Sequence, residues 1–217
     1  MKHLAKLCCG AAVAALIATV AALPAAGKDI ITEWANAKAP PAPQLKPVAV
    51  DPKTTALFLL DFMKTNCGAR PRCAAIVPNL KRLLDGARAN DMMVFYSLVT
   101  ANATPENIVD PGLAPRPGEA VPAGGPDKFL SSDLDKRLKD RGIKTVIVTG
   151  TSAQGAVMGS GNALAQRGYQ VIVPVDGMAS EDDYDEQYAV WYLYKGGPAV
   201  VTSKVTLTRS DMVKFGS

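Results

Sequence analysis

The 217-residue sequence contains one histidine, His3, within its first few residues. If that end is removed on export, no imidazole remains. Ser–His–Asp and Cys–His catalysis are then excluded, as is any metal centre built on His ligands. Cysteine is nearly as scarce, because Cys8 and Cys9 sit in the same leader and only Cys67 and Cys73 follow it. No second apolar run reaches the roughly 20 residues that a membrane span needs. Charge of one sign is lacking too. Lys2 and Lys6 account for two of the net +4, and the remaining +2 is too small to point to nucleic acid or an anionic membrane surface.

What is present begins with that leader. Lys2 and Lys6 precede an Ala-rich apolar run from Leu7 to Leu23, followed by Pro24-Ala25-Ala26-Gly27. This is the layout of a secretory signal peptide over residues 1–26, and it predicts a periplasmic or secreted protein with no stable membrane anchoring after cleavage. An uncleaved anchor is the competing reading. Residues 27–50, with Ala39-Pro40-Pro41-Ala42-Pro43, read as a Pro/Ala-rich lead-in, and one compact domain is expected over 51–217. In an oxidising compartment Cys67 and Cys73, six residues apart across a Gly/Pro-containing loop, predict a disulfide. A reactive Cys67 is the alternative.

Short buried-type strands alternate with helical patterns along the domain. Strands are predicted over 54–60, 92–99, 145–149, 170–175 and 199–205, and helices over 76–89, 134–141, 156–167 and 182–194. Ser132 or Asp133 would cap the second helix, with Gly142 closing it and Gly168 closing the third. Residues 101–127 form a long loop of the kind that more often serves a function than idles. The expected fold is α/β: a three-layer α/β/α Rossmann-like sandwich on a mostly parallel sheet of five or six strands. Ligands then bind beyond the carboxyl ends of the strands, where Asp61, Thr151 to Gly155 and Asp176 fall.

Three features there could carry chemistry. Asp61 ends an apolar strand, where a carboxyl can serve as general acid or can simply cap a turn. Lys128 precedes a helix and could pair with Asp61 or with a substrate carboxylate; most lysines are instead solvated. The run Thr149-Gly150-Thr151-Ser152-Ala153-Gln154-Gly155-Ala156 takes a strand through a small-residue turn into a helix, so backbone N–H groups could hold an anion. It has neither the spacing of a dinucleotide fingerprint nor the Lys-Ser/Thr of a phosphate loop. The aromatics Tyr184, Tyr188, Trp191 and Tyr192 fall at helical spacing and suit a packing face or oligomer interface better than a substrate cage.

In order and spacing these segments resemble the isochorismatase-like family, the cysteine hydrolases, over roughly residues 54–207. The matching parts are Ala56 to Asp61, Lys128, Leu134/Leu138/Gly142/Ile143, Val146 to Gly150, Arg167-Gly168-Tyr169 and Val171 to Gly177. The resemblance implies Asp61 and Lys128 as catalytic residues, Thr151, Ser152 and Gly155 as substrate-binding residues, and a cis peptide near Thr151-Ser152. It also implies self-association, since family members commonly form oligomers. The nucleophilic cysteine of the amidase branches would fall at Ala156, and a methyl group cannot attack a carbonyl. The metal site of the family's nicotinamidases lacks its histidine, so no cofactor or metal is expected. Three readings remain. One is Asp/Lys hydrolysis of a vinyl-ether type of small substrate. A second is a module that only binds its ligand. The third is a relocated nucleophile, Cys67 or Ser152, and Ser152 would have Lys128 as its only base.

Overall fold

The computed structural model describes residues 27–99, 104–119, 124–130 and 132–216. The expected signal peptide and parts of the 101–127 loop lie outside them. The chain divides after Ala39. In residues 27–39 a single 3-10 turn, Trp34–Asn36, follows a turn in which the Asp29 carboxylate accepts the N–H groups of Ile31 and Thr32.

In the unit from Pro40 onward, the strands are β1 (Val48–Val50), β2 (Thr55–Leu60), β3 (Met93–Ser97), β4 (Thr145–Thr151), β5 (Gln170–Pro174), β6 (Met178–Ala179), β7 (Val205–Thr208) and β8 (Val213–Phe215). The helices are α1 (Pro71–Ala89), α2 (Leu134–Asp140), α3 (Met158–Gln166), α4 (Asp183–Trp191) and α5 (Ala199–Thr202). A six-stranded parallel sheet runs β3-β2-β4-β5-β7, with β6 added beside the end of β4. The fold is therefore the expected α/β one, with a mostly parallel sheet and flanking helices.

Period-two side-chain alternation makes the layers. From β2, Ala56, Phe58 and Leu60 enter one core with Leu138 of α2, Leu164 of α3 and Ala189 of α4, while Leu57 and Leu59 enter a second core with Leu80, Leu83 and Leu84 of α1. Every residue of β2 is buried, as a strand between two parallel neighbours must be. The chain passes from β2 to β3 on one side and returns to β4 on the other. The carboxyl ends of β2 and β4 thus flank the point where the strand order reverses, the place where such sheets bind ligands.

Most predicted elements lie within a few residues of their expected places, and Gly142 and Gly168 stop their helices at φ 67° and 93°. Three differences have physical causes. The predicted strand 199–205 is instead the helical turn α5 followed by β7: the run Val200-Val201-Thr202 is β-branched, but Pro198 starts a turn whose carbonyl accepts the N–H groups of Val201 and Thr202. The compact unit starts at Pro40, ahead of Asp51, because β1 pairs in parallel with β8 in a separate two-stranded sheet. Finally, α1 begins at Pro71, well before Ile76, since a proline fits the first helical position.

Candidate functional site

β2 ends in Asp61, whose backbone turns into the left-handed region at φ 63°. An aspartate tolerates this better than most side chains, and here the reversal is held by two bonds. The Asp61 N–H donates to the Ser97 carbonyl at 3.1 Å, and the Met63 N–H donates to the Asp61 carbonyl at 2.8 Å. The carboxylate faces inward, with Asp61 only 7% exposed. Lys128 Nζ donates to both of its oxygens, at 3.0 and 2.8 Å, and Ser97 Oγ donates to Oδ1 at 2.7 Å. A buried charge needs this degree of pairing.

Lys128, 3% exposed, is positioned by its neighbours on either side. Its ammonium also donates to the Gly124 carbonyl at 3.1 Å, and its own carbonyl accepts Ser132 Oγ at 2.7 Å. Ser160 Oγ on α3 donates to the Pro126 carbonyl, and a side chain at Gly159 would collide with that same carbonyl. Phe129 is buried beneath the Arg167 guanidinium, 4.3 Å from its ring centroid. The lysine is therefore fixed by packing on α3, which its own sequence neighbourhood does not advertise.

The third element is the β4–α3 connection. The Thr151–Ser152 peptide is cis, and a wide helical turn, Ala153–Val157, leads into α3. Early N–H groups of a helix have no partner inside it and can face a ligand. One member of the expected anion-holding set is already engaged: the Ala153 N–H donates to buried Ser180 Oγ at 2.9 Å, and Ser180 Oγ in turn donates to Gln154 Oε1. That leaves Gln154 to Ala156. A Cβ at Gly155 would press against Ser152 Oγ, so a side chain there would displace that hydroxyl.

These elements enclose a pocket of about 340 Å³, lined by Asp61, Thr151, Ser152, Gly155 and Ala156 among others. Of the residues expected to act or to bind substrate, these five line it and Lys128 does not; Lys128 meets it only through its bonds to Asp61. Ala156 presents a methyl group where the resemblance puts a nucleophile. Cys67 and Cys73 are joined in a buried disulfide, so Cys67 is no thiol in this structure. Asp176, also at a strand end, is engaged elsewhere: its carboxylate accepts the Ser210 N–H and hydroxyl at 2.7 and 2.8 Å, joining β5 to the turn before β8. Among the exposed aromatics, Tyr188 and Trp191 pack on each other on α4 and do not line the pocket. No group of three or more His, Cys, Asp or Glu side chains is arranged to hold a metal ion among the described residues.

Sequence reasoning missed three contributors. Ser97 is the last residue of β3 and gains its role only from the β2–β3 register. Asn66 Oδ1 accepts the Met63 and Cys67 N–H groups and orders the loop after Asp61. Arg70 lines the pocket from within the disulfide loop, a segment read only for its two cysteines.

A buried Asp–Lys pair therefore stands at the strand-order reversal of a parallel α/β sheet, beside the turn that opens α3. The Isochorismatase domain model matches residues 55–205, and the chain belongs to that family. It is 26% identical over 189 residues to YwoC, an uncharacterized isochorismatase family protein of Bacillus subtilis (strain 168), covering 76% of this chain and 97% of that protein. It is 27% identical over 130 residues to N-carbamoylsarcosine amidase of Arthrobacter sp, covering 48% of this chain and 49% of that enzyme. Among solved structures, a cysteine hydrolase from Pseudomonas syringae pv. phaseolicola 1448A superposes with a TM-score of 0.64 at 22% identity, over 78% of this chain and 94% of that one.

Proposed function

We propose that this chain is an exported hydrolase that cleaves a small molecule by acid–base chemistry at Asp61 and Lys128, without a covalent thioester. The observation that carries this reading is the buried Asp61–Lys128 pair at the edge of a pocket whose wall is methyl at Ala156. A vinyl ether suits such a site. Asp61, taking up a proton to enter the cycle as the neutral carboxyl, delivers it to the enol carbon, and water adds to the resulting oxocarbenium ion. The proton released by that water returns to Asp61, and the hemiketal collapses to an alcohol and a ketone. Lys128 holds the Asp61 carboxylate in place and balances its charge after transfer. The backbone N–H groups of Gly155 and Ala156, two residues of the pocket wall, would receive an anionic group of the substrate.

The test is a panel of small vinyl ethers, amides and esters offered to the mature protein. Vinyl-ether turnover that drops by about 10²–10⁴-fold in Asp61→Asn supports the assignment. Turnover that survives Asp61→Asn removes Asp61 from the chemistry. Absence of turnover on every class, with ligand-dependent thermal stabilisation retained, favours the reading in which the pocket only binds.

A further inference from the structure

The pocket has a second charged lining residue besides Asp61, namely Arg70. Asp61 is matched by Lys128, so Arg70 sets the charge offered to a ligand. Its side-chain partners among the described residues are weak ones. Nη1 donates to Thr151 Oγ1 at 3.3 Å, and Nε lies 3.7 Å from Glu181, whose side chain is 76% exposed. A guanidinium has five N–H donors in a planar fork, and two long contacts to a hydroxyl and a solvated carboxylate leave most of that fork available. The other arginine of the loop, Arg72, is turned away: it makes a bidentate pair with Glu186 of α4, at 2.9 and 2.5 Å.

The backbone under Arg70 is fixed on both sides. Its N–H donates to the Cys67 carbonyl at 3.0 Å, and its carbonyl accepts the Ala74 N–H at 3.0 Å. The Cys67–Cys73 disulfide closes the same six-residue interval, with Cα atoms 5.1 Å apart and both cysteines fully buried. A flexible arginine is a poor selector, because ordering it on binding opposes affinity; one mounted on a closed loop loses less.

We infer that Arg70 selects the ligand, receiving a carboxylate as a two-point partner, and that the Cys67–Cys73 bridge holds it at the pocket. The substrate class is then a small carboxylic acid whose apolar part lies along Val99, Pro126 and Ala156. This inference rests on the proposed use of the pocket as the substrate site, but it concerns recognition and is read by binding alone.

Calorimetric titration with benzoate and with its neutral isostere benzamide tests it without any turnover. The native protein should bind benzoate about tenfold or more tightly than benzamide. Arg70→Gln should abolish that preference while leaving benzamide affinity within about twofold, and Arg70→Lys should restore only part of it. Cys67→Ala/Cys73→Ala should lower benzoate affinity several-fold, with benzamide binding reporting that the pocket is still formed. Repeating the native titration in Asp61→Asn separates the two ideas, since the carboxylate preference should persist there even if Asp61 proves to have no catalytic part. Equal affinity for the two probes in the native protein overturns the inference, as does a preference that survives Arg70→Gln. A preference unchanged in the double cysteine variant removes the bridge from it.

Discussion

Two cavities lie near opposite ends of β3, and the larger is not the one that holds Asp61. Near its start, Met93 and Val94 border a cleft of about 670 Å³ rich in arginines, among them Arg88, Arg116, Arg137 and Arg141. Near its end, Ser97 bonds Asp61 and Val99 lines the pocket of about 340 Å³. In the larger cleft the buried arginine and one of the exposed ones are matched by carboxylates. Arg88 pairs with Glu119 at 2.8 Å, and Arg137 pairs with Asp133 within its own helix at 2.8 Å. In the smaller one a carboxylate and a guanidinium line the same open pocket, and only the carboxylate has a buried counter-ion. Cavity size reports how loosely elements meet. Function is better read from charge held where the fold need not put it.

The sharpest way to break this comparison is to remove the counter-ion. Lys128→Met leaves the Asp61 charge buried and unpaired, and stability should fall by about 3–5 kcal/mol. That is a large part of what a domain of this size has in reserve. Asp61→Asn/Lys128→Met should recover most of the loss, because no charge is then stranded. Urea denaturation of the two single variants and the double variant measures the coupling. If the Lys128→Met loss is below about 1 kcal/mol, the pair is not the buried, closely coupled one described here.

The larger cleft should answer differently. The Arg88 guanidinium donates to both Glu119 oxygens, at 3.0 and 2.8 Å, and to the Ala114 carbonyl at 2.8 Å. It thereby ties the segment 114–119 to α1. Arg88→Ala should reduce stability by about 2–3 kcal/mol, since Glu119 is left nearly buried without its partner. Any turnover at the Asp61 pocket should keep its kcat within about twofold. A fall in kcat matching that of Asp61→Asn would mean the two cavities act as one.

How much of this contrast could be read in the sequence depends on the range of the interactions. Asp61 is legible because a carboxylate closing a six-residue apolar strand is anomalous on local grounds alone. The β4–α3 turn is legible for the same reason, and the disulfide is legible from the spacing of the two cysteines. Lys128 needed the family resemblance, because it is fixed by Ser160, Gly159 and Arg167 some thirty or more positions away. Arg70 was not legible at all: what marks it is a pocket wall assembled from four separate segments. The short β1–β8 sheet escaped for a related reason, as two three-residue strands at opposite ends of the domain define each other only once paired. The misplaced strand at 199–205 shows the converse failure, a β-branched run overruled by the proline before it.

The smallest expected effect comes from the α2 side of the molecule and separates packing from chemistry by pH. Tyr169 is buried, and its hydroxyl donates to Asp135 Oδ1 at 3.0 Å. Burial first, and then the bond to Asp135, push the phenol up from 10.0 to about 12. The Asp135 carboxyl is held below its usual value by its bond from Lys139 first and by Tyr169 after it. The phenol's folded-state value is raised, so its contribution is complete below pH about 10 and is lost as pH climbs toward about 12. The carboxyl's value is depressed, so its share is present above the ordinary carboxylate range and is lost as pH falls through and below it. Tyr169→Phe should cost about 0.5–1 kcal/mol at pH 7, the worth of one partly exposed hydrogen bond. It should also remove part of the alkaline loss. Tyr96, another phenol raised chiefly by burial, titrates alike in both proteins and cancels in the difference. Urea midpoints measured from pH 7 to 11.5 give that difference directly. Parallel curves for native protein and Tyr169→Phe would show that the Tyr169–Asp135 bond does not form in solution, while benzoate binding at the Asp61 pocket should be indifferent to the change at pH 7.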